Sequence, residues 1–312
     1  MIPALMLTAG LATRLRPLSF VRAKAALPVG DQVIVRRILR WLAGFGITDA
    51  VLNLHHLPET ITAIVGDGSA DGVRVRYSWE MPVLGSAGGP RRALPLLGTS
   101  PFLIVNGDTL TNVNVRALVD AHRASGALVT MAVIPNVEPE KYGGVVVQRD
   151  GTVSGFATAA RTRTPGDTHH FVGVQVANAE VFAHLRDDAP SESVKDVYPA
   201  LIAARPGSVR AFVSEAEFFD IGTPLDYLRT SLHFASRIPP PGSRLDECIL
   251  WDDVDVDETA SLRRCIVTDG VRIPAGSSWE NKTIRVAHGE LMPAEQLVGE
   301  LAIGPLDGPT RA

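Results

Sequence analysis

The sequence predicts an α/β three-layer sandwich on a mixed, mostly parallel sheet, followed by a short left-handed β-helix-like segment. Three observations carry this expectation. Short apolar runs alternate with helical patterns from residue 2 to 125, and strand-like patterns dominate from 127 to 177. Beyond Pro239-Pro240-Pro241-Gly242, branched aliphatic residues then recur about every five or six positions.

In chain order, residues 2–7 form an apolar run that stops at Thr8-Ala9-Gly10, the pattern of a buried strand entering a loop. Over 32–44, Val33, Ile34, Ile38, Leu39 and Leu42 share one helical face while Arg36, Arg37 and Arg40 point outward. Ala50-Val51-Leu52-Asn53-Leu54 reads as a strand. A helix over 58–65, a strand over 73–79, a helix over 87–97, a strand over 102–106 and a helix over 114–125 continue the alternation. Strands over 127–134, 143–148, 152–156 and 171–177, with Asp150-Gly151 as a hairpin turn, make the next part mixed or antiparallel. Helices over 178–186 and 193–204, the second capped by Ser191 or Ser193, lead to short strands within 209–220 and a helix from Pro224.

The proline run is the clearest linker, giving a main domain at 1–238, a β-helix-like segment at 243–287 and an unassigned tail at 288–312. In the segment, Ile249, Val254, Val256, Leu262, Ile266, Val271 and Ile273 suit a hexapeptide rhythm of two or three coils; a β-rich tail is the alternative.

Composition narrows function by exclusion. A length of 312 residues suits a large domain with a smaller appendage, and a net charge of -4 gives no general attraction to nucleic acid or an anionic membrane. The first residues lack a basic stretch, and no apolar run has membrane-spanning length. Cys248 and Cys265 are too few for a disulfide framework, so a cytoplasmic setting is expected.

The chemistry concentrates in a few segments. A loop leaving the carboxyl end of the first strand, Leu7 to Leu18, carries small residues at Thr8, Ala9, Gly10 and Ala12. Backbone N–H groups there suit a close approach to a triphosphate, with Arg14 and Lys24 supplying positive charge. Val105-Asn106-Gly107-Asp108 ends an apolar strand on a carboxylate suited to Mg²⁺, or to capping the following loop. Asp220 precedes Thr223-Pro224, a helix start, and by itself reads as a turn residue. His55-His56 and His169-His170 lie in strand-like segments, where neighbours point oppositely, so neither pair is a natural chelate.

Together these segments resemble the NDP-sugar pyrophosphorylase family, whose first loop reads L-A-A-G-x-G-T-R-L-R-P-L-T followed by P-K-P. Here Thr8 replaces an alanine, Ala12 the second glycine, and Ala23 and Ala25 the two prolines. Ala12 would be penalised if its position needs positive φ. The resemblance implies a Rossmann-like, GT-A-like nucleotidyltransferase that joins an NTP to a sugar 1-phosphate. In it Arg14 faces pyrophosphate, Lys24 the α-phosphate, and Asp108 with Asp220 holds Mg²⁺. Leu7, Thr8, Ala9, Gly10, Gly85, Ser86 and Asn106 are expected to contact the nucleotide, Glu80 the base. An acceptor-only carboxylate suits guanine N1–H and N2–H₂, which favours GTP.

Gly143, in Tyr142-Gly143-Gly144-Val145, and Gly173 resemble the family's sugar-binding elements, while its E-K-P lysine has no counterpart; Arg161 or Arg163 is the expected substitute. A phosphate monoester is already anionic near neutral pH, so attack on the α-phosphorus needs no general base. Mannose-1-phosphate is the favoured sugar substrate, with UTP or dTTP chemistry and a non-catalytic nucleotide-sugar-binding subunit as alternatives. A metal-dependent glycosyltransferase lacks its D-x-D near Asp108, and no G-x-G-x-x-G marks a nicotinamide enzyme. Self-association is expected to use the C-terminal segment.

Overall fold

The computed structural model describes residues 2–98, 100–158, 168–236 and 244–307. The chain runs β1 (Ala4–Leu7), β2 (Pro28–Val29), β3 (Gln32–Val33), α1 (Ile34–Gly44), β4 (Asp49–Leu54), α2 (Pro58–Val65), β5 (Arg74–Trp79), α3 (Gly85–Leu97), β6 (Phe102–Asn106), β7 (Leu110–Thr111) and α4 (Val115–Ser125). It continues through β8 (Val129–Pro135), β9 (Gly144–Val147), β10 (Val153–Ala157), β11 (His169–Ala177), α5 (Glu180–Ala183), α6 (Tyr198–Ala204), β12 (Val209–Val213), β13 (Phe218–Phe219) and α7 (Pro224–His233). The C-terminal strands are β14 (Leu245–Asp246), β15 (Ile249–Leu250), β16 (Asp255–Val256), β17 (Ser261–Arg263), β18 (Ile266–Val267), β19 (Arg272–Ile273), β20 (Ser278–Glu280), β21 (Lys282–Val286), β22 (Gln296–Val298) and β23 (Leu301–Pro305).

Two compact units emerge, and they do not follow chain order. One comprises Met1–Gly10 with Val35–Phe219, the other Leu11–Ile34 with Asp220–Ala312. The loop after β1, expected to stay with the main domain, therefore groups with the C-terminal residues.

In the first unit β6, β1, β4 and β5 lie side by side and parallel. β11 runs antiparallel to β6, β8 and β9, β10 runs antiparallel to β9, and β12 is parallel to β8, completing a nine-stranded sheet. Burial on both faces explains the largely apolar character of β1, β4 and β6. The hairpin joining β9 to β10 turns at Gly151, at φ +84 as the Asp-Gly pair predicts. One expected cap differs: the turn before α6 begins after Glu192 without a side-chain cap. Ser191 instead gives its carbonyl to the amides of Ala87 and Gly88, at 2.9 and 3.2 Å.

In the second unit, parallel ladders β14–β17–β20, β15–β18–β21 and β16–β19 form three walls. Leu245, Leu262 and Trp279 stack in register on the first wall, and the left-handed corners Glu247, Arg264 and Asn281 recur at the same interval. That interval is 17 residues, as in the bond from Arg264 Nε to Asn281 Oδ1. Leu262, Cys265, Val267, Val271, Ile273 and Ile284 fill the interior, as expected of a β-helix. Within the described part of the tail left unassigned, 288–307, lie two strands: β23 pairs antiparallel with β22 and with β21. Its signal is the hairpin Val298-Gly299-Glu300-Leu301, with Gly299 at φ +61. Arg285 and Glu295 are both 2% exposed in their side chains and form a two-pronged ion pair at 2.9 and 2.7 Å.

Candidate active site

In the first unit the carboxyl ends of three strands meet: Leu7 of β1 is in register with Asn53 of β4 on one side and Asn106 of β6 on the other. The chain turns away here through Thr8-Ala9 and through Gly107-Asp108. Gly107 donates its N–H to Leu7 O at 2.8 Å. A Cβ on Gly107 would lie 2.6 Å from Thr8 Cγ2 and 2.7 Å from Leu7 O, so only glycine lets these two turns approach. Asp108, half-buried, follows directly.

Asn53 organises this end. Its Oδ1 accepts the N–H groups of Thr8 at 2.6 Å and Ala9 at 3.3 Å, and its backbone carbonyl accepts the Thr8 hydroxyl. Its Nδ2 donates to Glu80 Oε1 at 2.7 Å, which fixes the amide orientation because a flipped amide would set oxygen against oxygen. Glu80 Oε2 accepts the N–H of Leu84 at 2.7 Å. These bonds revise two expectations. Glu80 is 3% exposed with each oxygen engaged by a protein donor, where an outward-facing carboxylate was expected to read a base. The Thr8 and Ala9 amides, expected to face a triphosphate, already serve Asn53.

The part that Asn53 plays in tying Thr8, Ala9 and Glu80 together escaped the sequence reading. The available signal was a lone amide in the apolar run Ala50-Val51-Leu52-Asn53-Leu54, since a buried polar group needs partners.

Gly85, at φ +77, starts α3, and Ser86 next to it hydrogen-bonds Glu192 through both its N–H and its hydroxyl. Glu192 is the second residue that sequence reasoning missed. A cavity of about 570 Å³ lies beside this pair, lined among others by Ser86, Phe156, Ala157, Glu192 and Lys195. Gly173, at φ +83, sits where a Cβ would meet Thr109 Oγ1 at 2.3 Å and Asn106 Nδ2 at 2.8 Å. It thus packs β11 against the Asn106–Asp108 turn. Gly143 backs onto the carbonyl of Ala157, 2.9 Å from where its Cβ would stand. His55 Nδ1 lies 2.9 Å from Glu80 O, and burial lowers the pKa of His169. Arg161 and Arg163 lie outside the described residues.

In the second unit Arg14 is exposed on the turn Thr13–Leu15, and half-buried Lys24 opens the turn Lys24–Ala26. Ala12 has φ 47 and ψ 44, the left-handed conformation for which the family motif carries glycine. Its carbonyl accepts the Ser19 hydroxyl at 3.0 Å and the Leu15 N–H at 3.0 Å, which hold it there. Asp220 precedes α7, whose first turn is capped by Thr223 accepting from Asp226 N at 3.2 Å. A Cβ on Gly222 would come within 3.0 Å of Asp220 Oδ1, so this glycine leaves room for the carboxylate.

Among the described residues no three His, Cys, Asp or Glu side chains gather as a self-sufficient metal site. Asp108 and Asp220 are each carboxylates of the kind that Mg²⁺, a hard cation, takes one or two of beside substrate phosphates. Nor is any described helix long and apolar enough to cross a membrane.

Parallel strands β6, β1 and β4, with a glycine-shaped turn and a carboxylate at their carboxyl ends, place a ligand crevice where open α/β enzymes keep theirs. The chain belongs to the nucleotidyl transferase family, whose model matches residues 3–237. It is 26% identical over 296 residues to mannose-1-phosphate guanylyltransferase of Mycobacterium tuberculosis, spanning 88% of this chain and 82% of that one. It is 28% identical to mannose-1-phosphate guanyltransferase of Candida albicans, spanning 83% and 72%. Among solved structures, HddC from Yersinia pseudotuberculosis complexed with GMP-PN matches with a TM-score of 0.65 at 21% identity, over 75% of this chain and all of that one.

Proposed function

We propose that the chain transfers a nucleotidyl group from an NTP to a sugar 1-phosphate and releases pyrophosphate, with GTP and mannose-1-phosphate as the favoured pair. The observation that carries this reading is the bond from Gly107 N–H to Leu7 O, which sets the Asn106–Asp108 turn against the carboxyl end of β1. An acid beside a strand-end turn of this kind suits a metal–polyphosphate complex. The guanine preference draws support from the mannose-1-phosphate guanylyltransferase relatives. Glu80 then acts at one remove, orienting Asn53 and the Leu84 amide.

Asp108 and Asp220 would hold Mg²⁺, which when bound neutralises phosphate charge. Arg14 orients the departing pyrophosphate and Lys24 the α-phosphate. The sugar-phosphate oxygen is already ionised at neutral pH, so the protein's work is alignment and charge neutralisation.

The test is pyrophosphate release across a panel of NTPs and sugar phosphates, beginning with GTP and mannose-1-phosphate. Asp108→Asn should keep the fold and lower turnover by about 10²-fold or more. Wild-type turnover by that variant, or no release with any pair, would overturn the reading. Nucleotide-sugar binding without turnover would favour the regulatory-subunit alternative.

A further inference from the structure

Lys24 sits between Ala23 and Ala25, residues that impose no backbone restraint of the kind proline does. Its turn is closed by two backbone bonds, Ala26 N to Ala23 O at 2.8 Å and Leu27 N to Lys24 O at 3.2 Å. A three-residue turn of this kind has little stability of its own. Yet its upstream flank is tied directly to the β-helix, more than two hundred residues away in sequence, and its downstream flank reaches the β-helix through Tyr227 of α7.

Upstream, Arg22 donates from Nε to Asp269 Oδ2 at 2.7 Å and from Nη2 to Asp269 Oδ1 at 2.6 Å, a two-pronged pair. Nη2 also reaches Asp252 Oδ2 at 2.6 Å, and the guanidinium lies 5.4 Å from the centre of the Trp251 ring. Only 12% of the Arg22 side chain is exposed, against 77% of Asp252 and 31% of Asp269. Burial works against its charge, but the hydrogen bonds to Asp269 and Asp252 outweigh it and hold its pKa above the ordinary value. Downstream, the Pro28 carbonyl accepts the Tyr227 hydroxyl at 2.5 Å, and that hydroxyl accepts Trp251 Nε1–H at 2.9 Å.

The two flanks thus converge on one place in the β-helix, Trp251-Asp252, with Asp269 from the following coil. Asp269 Oδ1 also accepts the Asp252 N–H at 3.2 Å, so the coils and the loop share one acceptor. The guanidinium fork suits this double engagement in a way that an ammonium would not.

We propose that Arg22, Asp269 and Trp251 are positioning residues that hold the Lys24 turn in its phosphate-binding shape, so that the β-helix serves the transfer without touching substrate. This rests on the reading of Lys24 as a phosphate ligand. The brace and its use are therefore measured separately.

In the full-length chain, amide hydrogen exchange at Ala26 and Leu27 should accelerate about tenfold in Arg22→Lys and in Asp269→Asn. Protection of the Trp251 amide, bonded to Val267 O at 2.9 Å, should be retained. Combining the two substitutions should add little to either alone, because each breaks the same pair. Asp252→Asn, which removes the more exposed partner, should give the smaller change. Unchanged exchange at Ala26 and Leu27 would overturn the brace, as would equal acceleration at Trp251, the mark of general destabilisation. For its use, kcat should fall about tenfold in Asp269→Asn with the KM for sugar phosphate held, as expected when a transition-state contact is misaligned. Accelerated exchange with an unchanged kcat would overturn the positioning role. Absence of turnover in the wild-type chain would refute the transfer reading while the exchange result still decides the brace.

Discussion

At the carboxyl ends of β1, β4 and β6, and on β11 beside them, each position answers to its own particular distant partners: Asn53 to Thr8, Ala9 and Glu80, Gly107 to Leu7, Gly173 to Thr109. In the β-helix, by contrast, Leu262 answers to Leu245 and Trp279 through recurrence at 17 residues. A singular contact concentrates the cost of error on one residue. A repeated one spreads it along a wall, whose neighbours can close up.

The Arg285–Glu295 pair breaks that contrast, since it follows the coils yet is singular and buried. Glu295→Ala would leave the Arg285 guanidinium unpaired among the carbonyls of Val286, His288 and Glu290, and should cost about 4 kcal/mol by chemical denaturation. Gly107→Ala forces a Cβ against the Leu7 carbonyl and should cost about 3 kcal/mol; a loss under about 1 kcal/mol would show that the turn relaxes. Asn53→Ala removes an amide serving three partners, with an expected loss of about 2 kcal/mol and a higher KM for NTP.

A pH titration sharpens the same point at His122, whose ring nitrogens lie 2.9 Å from Thr130 Oγ1 and 3.2 Å from Asn178 Oδ1. Burial lowers its pKa, so below about pH 6.5 the unfolded chain takes up a proton that the folded one resists. Its contribution to stability is therefore present above that pH and lost as pH falls. The midpoint temperature should drop on going from pH 7 to 5, by less in His122→Gln. The smallest effect belongs to Ala12→Gly. Glycine relieves the left-handed strain but gains unfolded-state entropy, leaving a net stabilisation of about 0.5 kcal/mol, read as a small rise in midpoint temperature.

Periodic features were legible in the sequence. The patterns over 58–65 and 102–106 match α2 and β6, because apolar faces and flanking Pro or Gly mark their own ends. The substituted glycine raised the question of positive φ at Ala12, and the backbone there is left-handed. What escaped depends on pairing across long separations. Nothing near Arg22 announces Asp269, and nothing near Glu80 announces that Asn53 would engage its carboxylate. The joining of 11–34 with the C-terminal residues was hidden for the same reason. Chain order gave no sign of it.

The 17-residue turn of the β-helix gives that part of the gene something like a reading frame. Gain or loss of a whole coil would leave every inward side chain facing inward. A single inserted residue between Leu262 and Trp279 would shift the following wall by one place and turn its interior outward. Length variation here should therefore come in whole coils, while the loops of the sheet tolerate change one residue at a time.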